Sequence, residues 1–181
     1  MENIDFLNVI LRNGASQSEA FAFYDQLDIV EPEEMIGMWK GDEIVTGHPL
    51  EGLLTASGWY GKEFIDEEHV HPLVFKKNNE VLYTISPNLL PLNLLMQRLQ
   101  HIPKKILSSS MTILRPILKT NKSAARLRKV NHRGKVTSAM IYDNKGIIDV
   151  FRKIDENTLL GIMDIKEQFP DESFFFILRK V

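Results

Sequence analysis

The sequence predicts a mainly β fold with helical additions: an antiparallel lipocalin-like β-barrel with an N-terminal helix and a helical insert near 91–118. Three observations carry the prediction. From Ser123 onward the chain reads as five short alternating runs, 124–131, 135–142, 147–152, 158–165 and 174–179. They are separated by turn signals such as His132-Arg133-Gly134 and Asp143-Asn144-Lys145-Gly146. A meander of that length tends to curl and close, because closure removes exposed strand edges. The second observation is the stretch 37–64, which holds both tryptophans, Trp39 and Trp59, among Gly37, Gly41, Gly47, Gly52, Gly58 and Gly61. Glycine at that density points to tight turns or the close approach of something large. The third is a change to helical spacing in the middle of the chain, before the meander begins.

The elements follow in order. Ser16 with Glu19 three residues on forms a capping-box pattern, and Phe21, Tyr24 and Leu27 recur at helical spacing, so a helix is expected over 17–27. Pro32 is placed to start a short helix through Ile36, with Glu33 and Glu34 at its positive end. A strand is expected over 38–45, broken by Thr46-Gly47-His48-Pro49. Pro49 can open a helical segment through Leu53, Leu54 and Ala56 that Gly58 stops. Residues 59–64 resume as strand or loop, and 71–75 and 80–85 read as strands around a turn at 77–79. Leu92, Leu95, Met96 and Leu99 line one face of an amphipathic helix after Pro91; a second helical piece spans 109–118, limited by Pro116. The expected organisation is one domain over 1–181. Residues 1–75 supply the N-terminal helix and the glycine–tryptophan module, and 76–181 the insert and a meander completing the same barrel.

Bulk properties narrow the function classes. The chain has 181 residues, a formal net charge of −2 and no cysteine. It is long enough for a substantial core. It lacks the basic excess of a nucleic-acid binder and the thiols needed for disulfides or thiolate chemistry. The N-terminal segment has no basic flank or cleavage site, and no apolar run approaches the ~20 residues of a membrane span. A cytoplasmic protein with no membrane span is expected.

The residues Gly37-Met38-Trp39-Lys40-Gly41 form a GXWXG pattern. With Thr46-Gly47-His48-Pro49-Leu50, Gly52-Leu53-Leu54 and Gly58-Trp59-Tyr60-Gly61-Lys62 behind it, the chain resembles the bacterial and fungal family named after that motif. Ala125-Arg126-Leu127-Arg128, Met140-Ile141-Tyr142-Asp143, Asp149-Val150-Phe151-Arg152 and Leu160-Gly161-Ile162-Met163-Asp164 look like that family's second module. The resemblance implies no activity. A weaker likeness is to lipocalin-like barrels, where a G-x-W tryptophan plugs the closed end, and to nitrobindin-type haem barrels. Asp42, Glu43 and the late Gly47 depart from the haem pattern, so no cofactor is expected.

The chemistry of particular side chains marks the candidate site residues. Trp39 is expected to close a barrel end, or otherwise to floor a ligand. His48 sits in a turn between strand and helix, where a titratable imidazole can act or simply cap the chain. Trp59, Tyr60 and Lys62 suggest a pocket mouth meeting a carboxylate or phosphate, against the plainer reading of core aromatic beside surface lysine. Arg126 and Tyr142 complete the expected ligand-binding set. His69 and His71, with Glu67 or Glu68, are too few for a metal site, and no metal is expected. The meander charges Arg126, Arg128, Asp143, Asp149, Arg152, Asp164 and Lys166 are expected mostly as an exterior ladder, the alternative being an inward anion anchor. The small residues Ala124, Ala125, Ser138, Ala139 and Gly161 are expected either to leave space inside the barrel or to accommodate a packed helix.

The leading expectation is non-catalytic binding of a small hydrophobic ligand with an acidic head group. An enzyme alternative (isomerase, lyase or hydrolase) would use His48 as general base. A third, a protein-interaction module, expects an exposed apolar patch around 91–118 and a homodimer in solution.

Overall fold

The computed structural model describes residues 3–77, 81–89, 117–169 and 171–181. The helical insert expected near 91–118 therefore falls outside the described residues, except at its last two positions.

Two helices open the chain where one was expected. The first, α1 (Asn3–Asn13), buries Leu7 and Ile10. The second, α2 (Gln17–Gln26), has the predicted capping box: the Ser16 hydroxyl accepts the Glu19 N–H, and the Glu19 carboxylate accepts the Ser16 N–H at 2.8 Å. Pro32 begins the short α3 (Pro32–Met35). Then come β1 (Gly37–Glu43), α4 (Leu53–Ser57), β2 (Trp59–Phe64), β3 (Val70–Lys77), β4 (Val81–Ile85) and β5 (Lys119–Thr120). The meander is β6 (Ala125–His132), β7 (Lys135–Tyr142), β8 (Ile147–Asp155), β9 (Thr158–Ile165) and β10 (Phe174–Lys180).

All ten strands are joined by antiparallel pairings. Eight of them close into a ring, β1-β10-β9-β8-β7-β6-β3-β2, sealed by the β2–β1 pairing, while β4 and β5 extend outward from β3. The seam between β6 and β3 is narrow, resting on the single register pair Val70 and Ala125. The expected antiparallel barrel is thus present, and β1 reaches across the chain to pair with β10, from Trp39 opposite Lys180 to Glu43 opposite Phe176.

Two apolar clusters hold it together. One lies inside the ring and includes Trp39, Phe64, Phe75, Leu127, Met140, Phe151 and Phe176. The other packs α1 and α2 on the outer face of β8–β10, setting Leu7, Phe23 and Leu27 against Leu160, Ile162, Phe175 and Ile177. An eight-stranded ring is just wide enough for side chains to fill, and most of this interior is filled. Gly161, expected either to leave space or to accommodate a packed helix, instead seats the Phe176 ring: a Cβ there would lie 2.4 Å from that ring.

Strand β2 departs from simple alternation. Its register with β3 shifts on both sides of Gly61, and a Cβ at Gly61 would lie 1.9 Å from the Trp39 carbonyl oxygen. The irregularity turns Trp59, Lys62 and Phe64 all into buried positions, whereas strict alternation would place Trp59 and Lys62 on opposite faces. Among the described residues no helix is long and apolar enough to cross a membrane.

Candidate functional site

Among the described residues, a small cavity of about 80 Å³ lies near the α4 end of the ring. Its walls are mostly apolar: Leu50, Leu53 and Leu54 on the α4 side, Leu73, Ile147 and Met163 from the strands, and the rings of Trp59, Phe174 and Phe176. Leu53 and Leu54 are half-buried, as are Leu73 and Met163 in the strand wall. The five-residue α4 is pinned over the cavity by Glu43, whose carboxylate accepts the N–H groups of Gly52 and of Thr55, the latter at 2.7 Å.

Two charged groups break this apolar wall. Lys62 Nζ lies 2.7 Å from Asp149 Oδ2, and the two side chains are 4 % and 1 % exposed. Asp149 faces inward because β8 alternates regularly: Ile147, Asp149 and Phe151 share the core side. The Lys62 ammonium also stands 5.1 to 5.9 Å from the ring centres of Phe176, Trp59 and Tyr142, within cation–π range of all three. The Pro72 carbonyl accepts a longer bond from it at 3.4 Å.

Burial pushes the Asp149 carboxyl above its usual range, against the opposing pull of Lys62. Burial also raises the Tyr142 phenol, and the nearby Asp149 charge adds to that. Asp149 Oδ1 and the Trp59 indole Nε1 have no hydrogen-bond partner among the described residues. Unsatisfied buried polar atoms are uncommon and each calls for an explanation. The arrangement offers a cation, a proton-hungry carboxylate and an indole donor around a space lined by hydrocarbon.

The expected site residues divide between this cavity and other places. Trp59, Lys62 and Tyr142 line it. Trp39 is buried beside Lys62 in the β1–β2 register, but its indole N–H donates to the Met35 carbonyl at 2.6 Å, tying β1 to α3. Tyr60 faces outward, with Lys76 Nζ 5.7 Å from its ring. Arg126 also points out, 45 % exposed and 3.5 Å from Asp143. His48 is buried against Phe169 and Phe174, ring centres 4.7 and 5.7 Å apart, beside a separate open groove. Its Nδ1 accepts the Leu50 N–H at 3.1 Å, and burial lowers its pKa to about 4. A ring whose Nδ1 lone pair is so occupied carries its proton on Nε2 and has no free lone pair for general-base work. His69 bonds Asp66 at 2.9 Å, and among the described residues no three His, Asp or Glu side chains gather as a metal site.

Of the meander charges, Arg126 and Arg128 do lie outside, the latter 2.7 Å from Glu68. Asp149 turns inward, and Arg152 is fully buried beneath α2, over the Tyr24 ring. Asp149 was legible as a strand charge between Ile147 and Phe151 but not as Lys62's partner. Leu50, Leu53, Leu54, Phe174 and Phe176 were not foreseen as cavity walls.

Comparison with known proteins agrees with this architecture. A model described as GXWXG protein matches residues 22–79, and one described as Domain of unknown function (DUF4334) matches 123–180. No curated protein matches. A crystal structure of a protein from Thermomonospora curvata is similar at a TM-score of 0.71 and 29 % identity, covering 100 % of this chain and 99 % of that one. The GXWXG match spans α2 to β3 and the second spans the whole meander, so the two supply the two sides of one ring. Both models match in sequence, so the chain carries a GXWXG domain followed by a DUF4334 domain.

Proposed function

We propose that this protein binds a small, largely apolar molecule whose oxygen-bearing head group meets Lys62, Asp149 and Tyr142, in a lipocalin-like manner and in a cytoplasmic setting. The observation that carries the reading is the buried Lys62–Asp149 pair at an otherwise hydrocarbon-lined cavity, with Asp149 Oδ1 and Trp59 Nε1 unpartnered among the described residues. Function is a better reason than stability for such a pair, since desolvating two charges commonly costs as much as their attraction returns.

Cavity size limits the ligand. An engineered cavity of about 150 Å³ accepts benzene. A space of about 80 Å³ suits roughly three to five non-hydrogen atoms on that scale, more if Leu53 and Leu54 shift. A long-chain fatty acid is therefore not the ligand favoured. The best ligands of about four atoms gain about 6 kcal/mol, which corresponds to tens of micromolar at tightest.

The acidic head group expected from the sequence has a specific consequence. A second carboxylate beside Lys62 would sit against Asp149, and two such groups in contact do not both stay ionised. A small carboxylic acid would thus bind with uptake of a proton, more tightly at lower pH.

The test is an NMR titration that follows the two indole N–H resonances with propanoate and, separately, 1-propanol. The Trp59 signal should move and saturate while Trp39, committed to Met35, moves little. No movement at Trp59 up to about 50 mM, far above the affinity such small ligands can reach, would overturn the proposal.

A further inference from the structure

Within this binding reading, we infer that Lys62 is a reactive amine and that the cavity takes small aliphatic aldehydes as a covalent imine. Three features of the site carry the inference. The amine stands at a cavity wall rather than at the surface: Nζ is held 2.7 Å from Asp149 Oδ2 and 3.4 Å from the Pro72 carbonyl oxygen. The carboxylate is an internal proton acceptor, and its second oxygen is unpartnered among the described residues. Three rings surround Nζ, at 5.1, 5.4 and 5.9 Å, so a cation at that atom is favoured whether it is an ammonium or an iminium. Lysines in apolar pockets are the ones proteins use as Schiff-base formers.

The chemistry balances within the site. The Lys62 ammonium passes one proton to Asp149, leaving a neutral amine beside a carboxylic acid. The nitrogen lone pair attacks the aldehyde carbon, and the carbonyl π electrons move to oxygen, which takes the Asp149 proton. A second N–H proton then returns to Asp149 and is delivered to the hydroxyl, so the C–O bond breaks and water leaves. The product is a C=N bond between Lys62 and the former aldehyde carbon. The nitrogen keeps the third of its original protons, so this product is the iminium itself, with the Asp149 carboxylate as its counterion. Two protons of the original ammonium have left as water with the carbonyl oxygen, one remains, and no oxidant or reductant is needed. Leu53, Leu54, Phe174 and Phe176 line the space with hydrocarbon, which disfavours water there and slows the reverse hydrolysis. The same packing restricts the aldehyde to a short chain.

The test incubates the full chain with propanal and sodium cyanoborohydride, which reduces an imine to a stable secondary amine, and locates the propyl groups by peptide mapping. Lys62 should be labelled at least about tenfold faster than an exposed lysine such as Lys166, which is 75 % exposed. At neutral pH an exposed lysine presents only about one amine in 10³ unprotonated. Loss of Asp149 should remove that advantage: Asp149→Asn is expected to bring Lys62 to the exposed-lysine rate or below. Should Asp149→Asn fail to fold, the wild-type ratio of Lys62 to Lys166 labelling decides alone. Labelling of Lys62 no faster than Lys166, with 1-propanol still moving the Trp59 indole, would overturn the imine and leave the binding reading standing. If neither labelling nor the indole shift occurs, both fall.

Discussion

A Cβ on Gly41 would lie 2.1 Å from the Trp59 ring. The second glycine of the GXWXG motif is therefore the gap into which the chain's other tryptophan lays its indole, and that indole is a cavity wall. The first tryptophan is anchored by its N–H to Met35, and Gly61 keeps the backbone of β2 close to it. The motif and the 59–62 stretch are thus two halves of one packing unit.

Gly41→Ala should expel the Trp59 ring from its seat. Forcing one methyl into a filled core typically costs about 1–3 kcal/mol, and an approach of 2.1 Å belongs at or above the upper end. Urea denaturation should register that loss together with a changed Trp59 emission. A variant as stable as the parent, with unchanged fluorescence, would mean that the ring has room elsewhere.

The Lys62–Asp149 pair should behave asymmetrically under mutation. Removing one partner of a buried pair strands the other charge and costs about 3–5 kcal/mol. Asp149→Asn and Lys62→Met are each expected to fall in that range. The double variant Lys62→Met with Asp149→Leu should recover most of the loss and approach or exceed the parent's stability. Thermal unfolding of all four proteins would show it, and additive losses in the double variant would refute the coupling.

His48 gives a pH dependence of known sign. Its folded pKa, lowered to about 4 by burial, lies below the unfolded value of 6.5. Between those two values the unfolded chain binds more protons, so stability rises with pH there and is lost on acidification. A shift of that size corresponds to about 3 kcal/mol across the window. Asn at this position can accept the Leu50 N–H as an Asx turn does. His48→Asn should therefore fold at neutral pH and lose less stability than the parent between pH 7 and pH 4. Equal losses in the two proteins would argue against a buried neutral imidazole.

Arg152 is a different kind of buried charge. Its Nη2 donates to the His132 carbonyl at 2.8 Å, and its guanidinium lies 5.0 Å from the Tyr24 ring centre, while Nε and Nη1 are unpartnered among the described residues. Replacing an under-satisfied buried cation by a hydrocarbon of similar length tends to be neutral or favourable. Arg152→Met should change stability by less than about 1 kcal/mol or increase it. Chemical denaturation showing a loss above about 3 kcal/mol would indicate further interactions of the guanidinium.

Much of the scaffold was readable in the chain. The Ser16–Glu19 box, Pro32 at a helix start and Gly58 as a left-handed cap are local devices, determined by a few neighbouring residues. Strands β7 and β9 match their expected runs end to end, because turn signals bound each of them. Helix α1 lies outside the expected elements although Ile4, Leu7, Ile10 and Leu11 recur at helical spacing on the face it buries. The short β5 has only two residues, too few to leave a pattern.

The site was legible only in pieces. Trp59, Lys62 and Tyr142 could be named as candidates from composition and neighbourhood, and they meet at the cavity. Their partner Asp149 could not be chosen from a run of similar meander charges, because 87 residues separate it from Lys62 and only ring closure brings them together. That Trp59 and Lys62 face the same interior depends on the irregularity at Gly61, which changes the parity of β2 and leaves no mark in hydrophobic alternation. Arg126 looked as plausible an anchor as Lys62, yet it lies on a regular strand beside Leu127 and so points out. Local sequence determined the helices, the turns and the meander, since those depend on contacts within a few residues. Only the closed tertiary structure decided which charges were desolvated, because burial is a property of where distant strands meet.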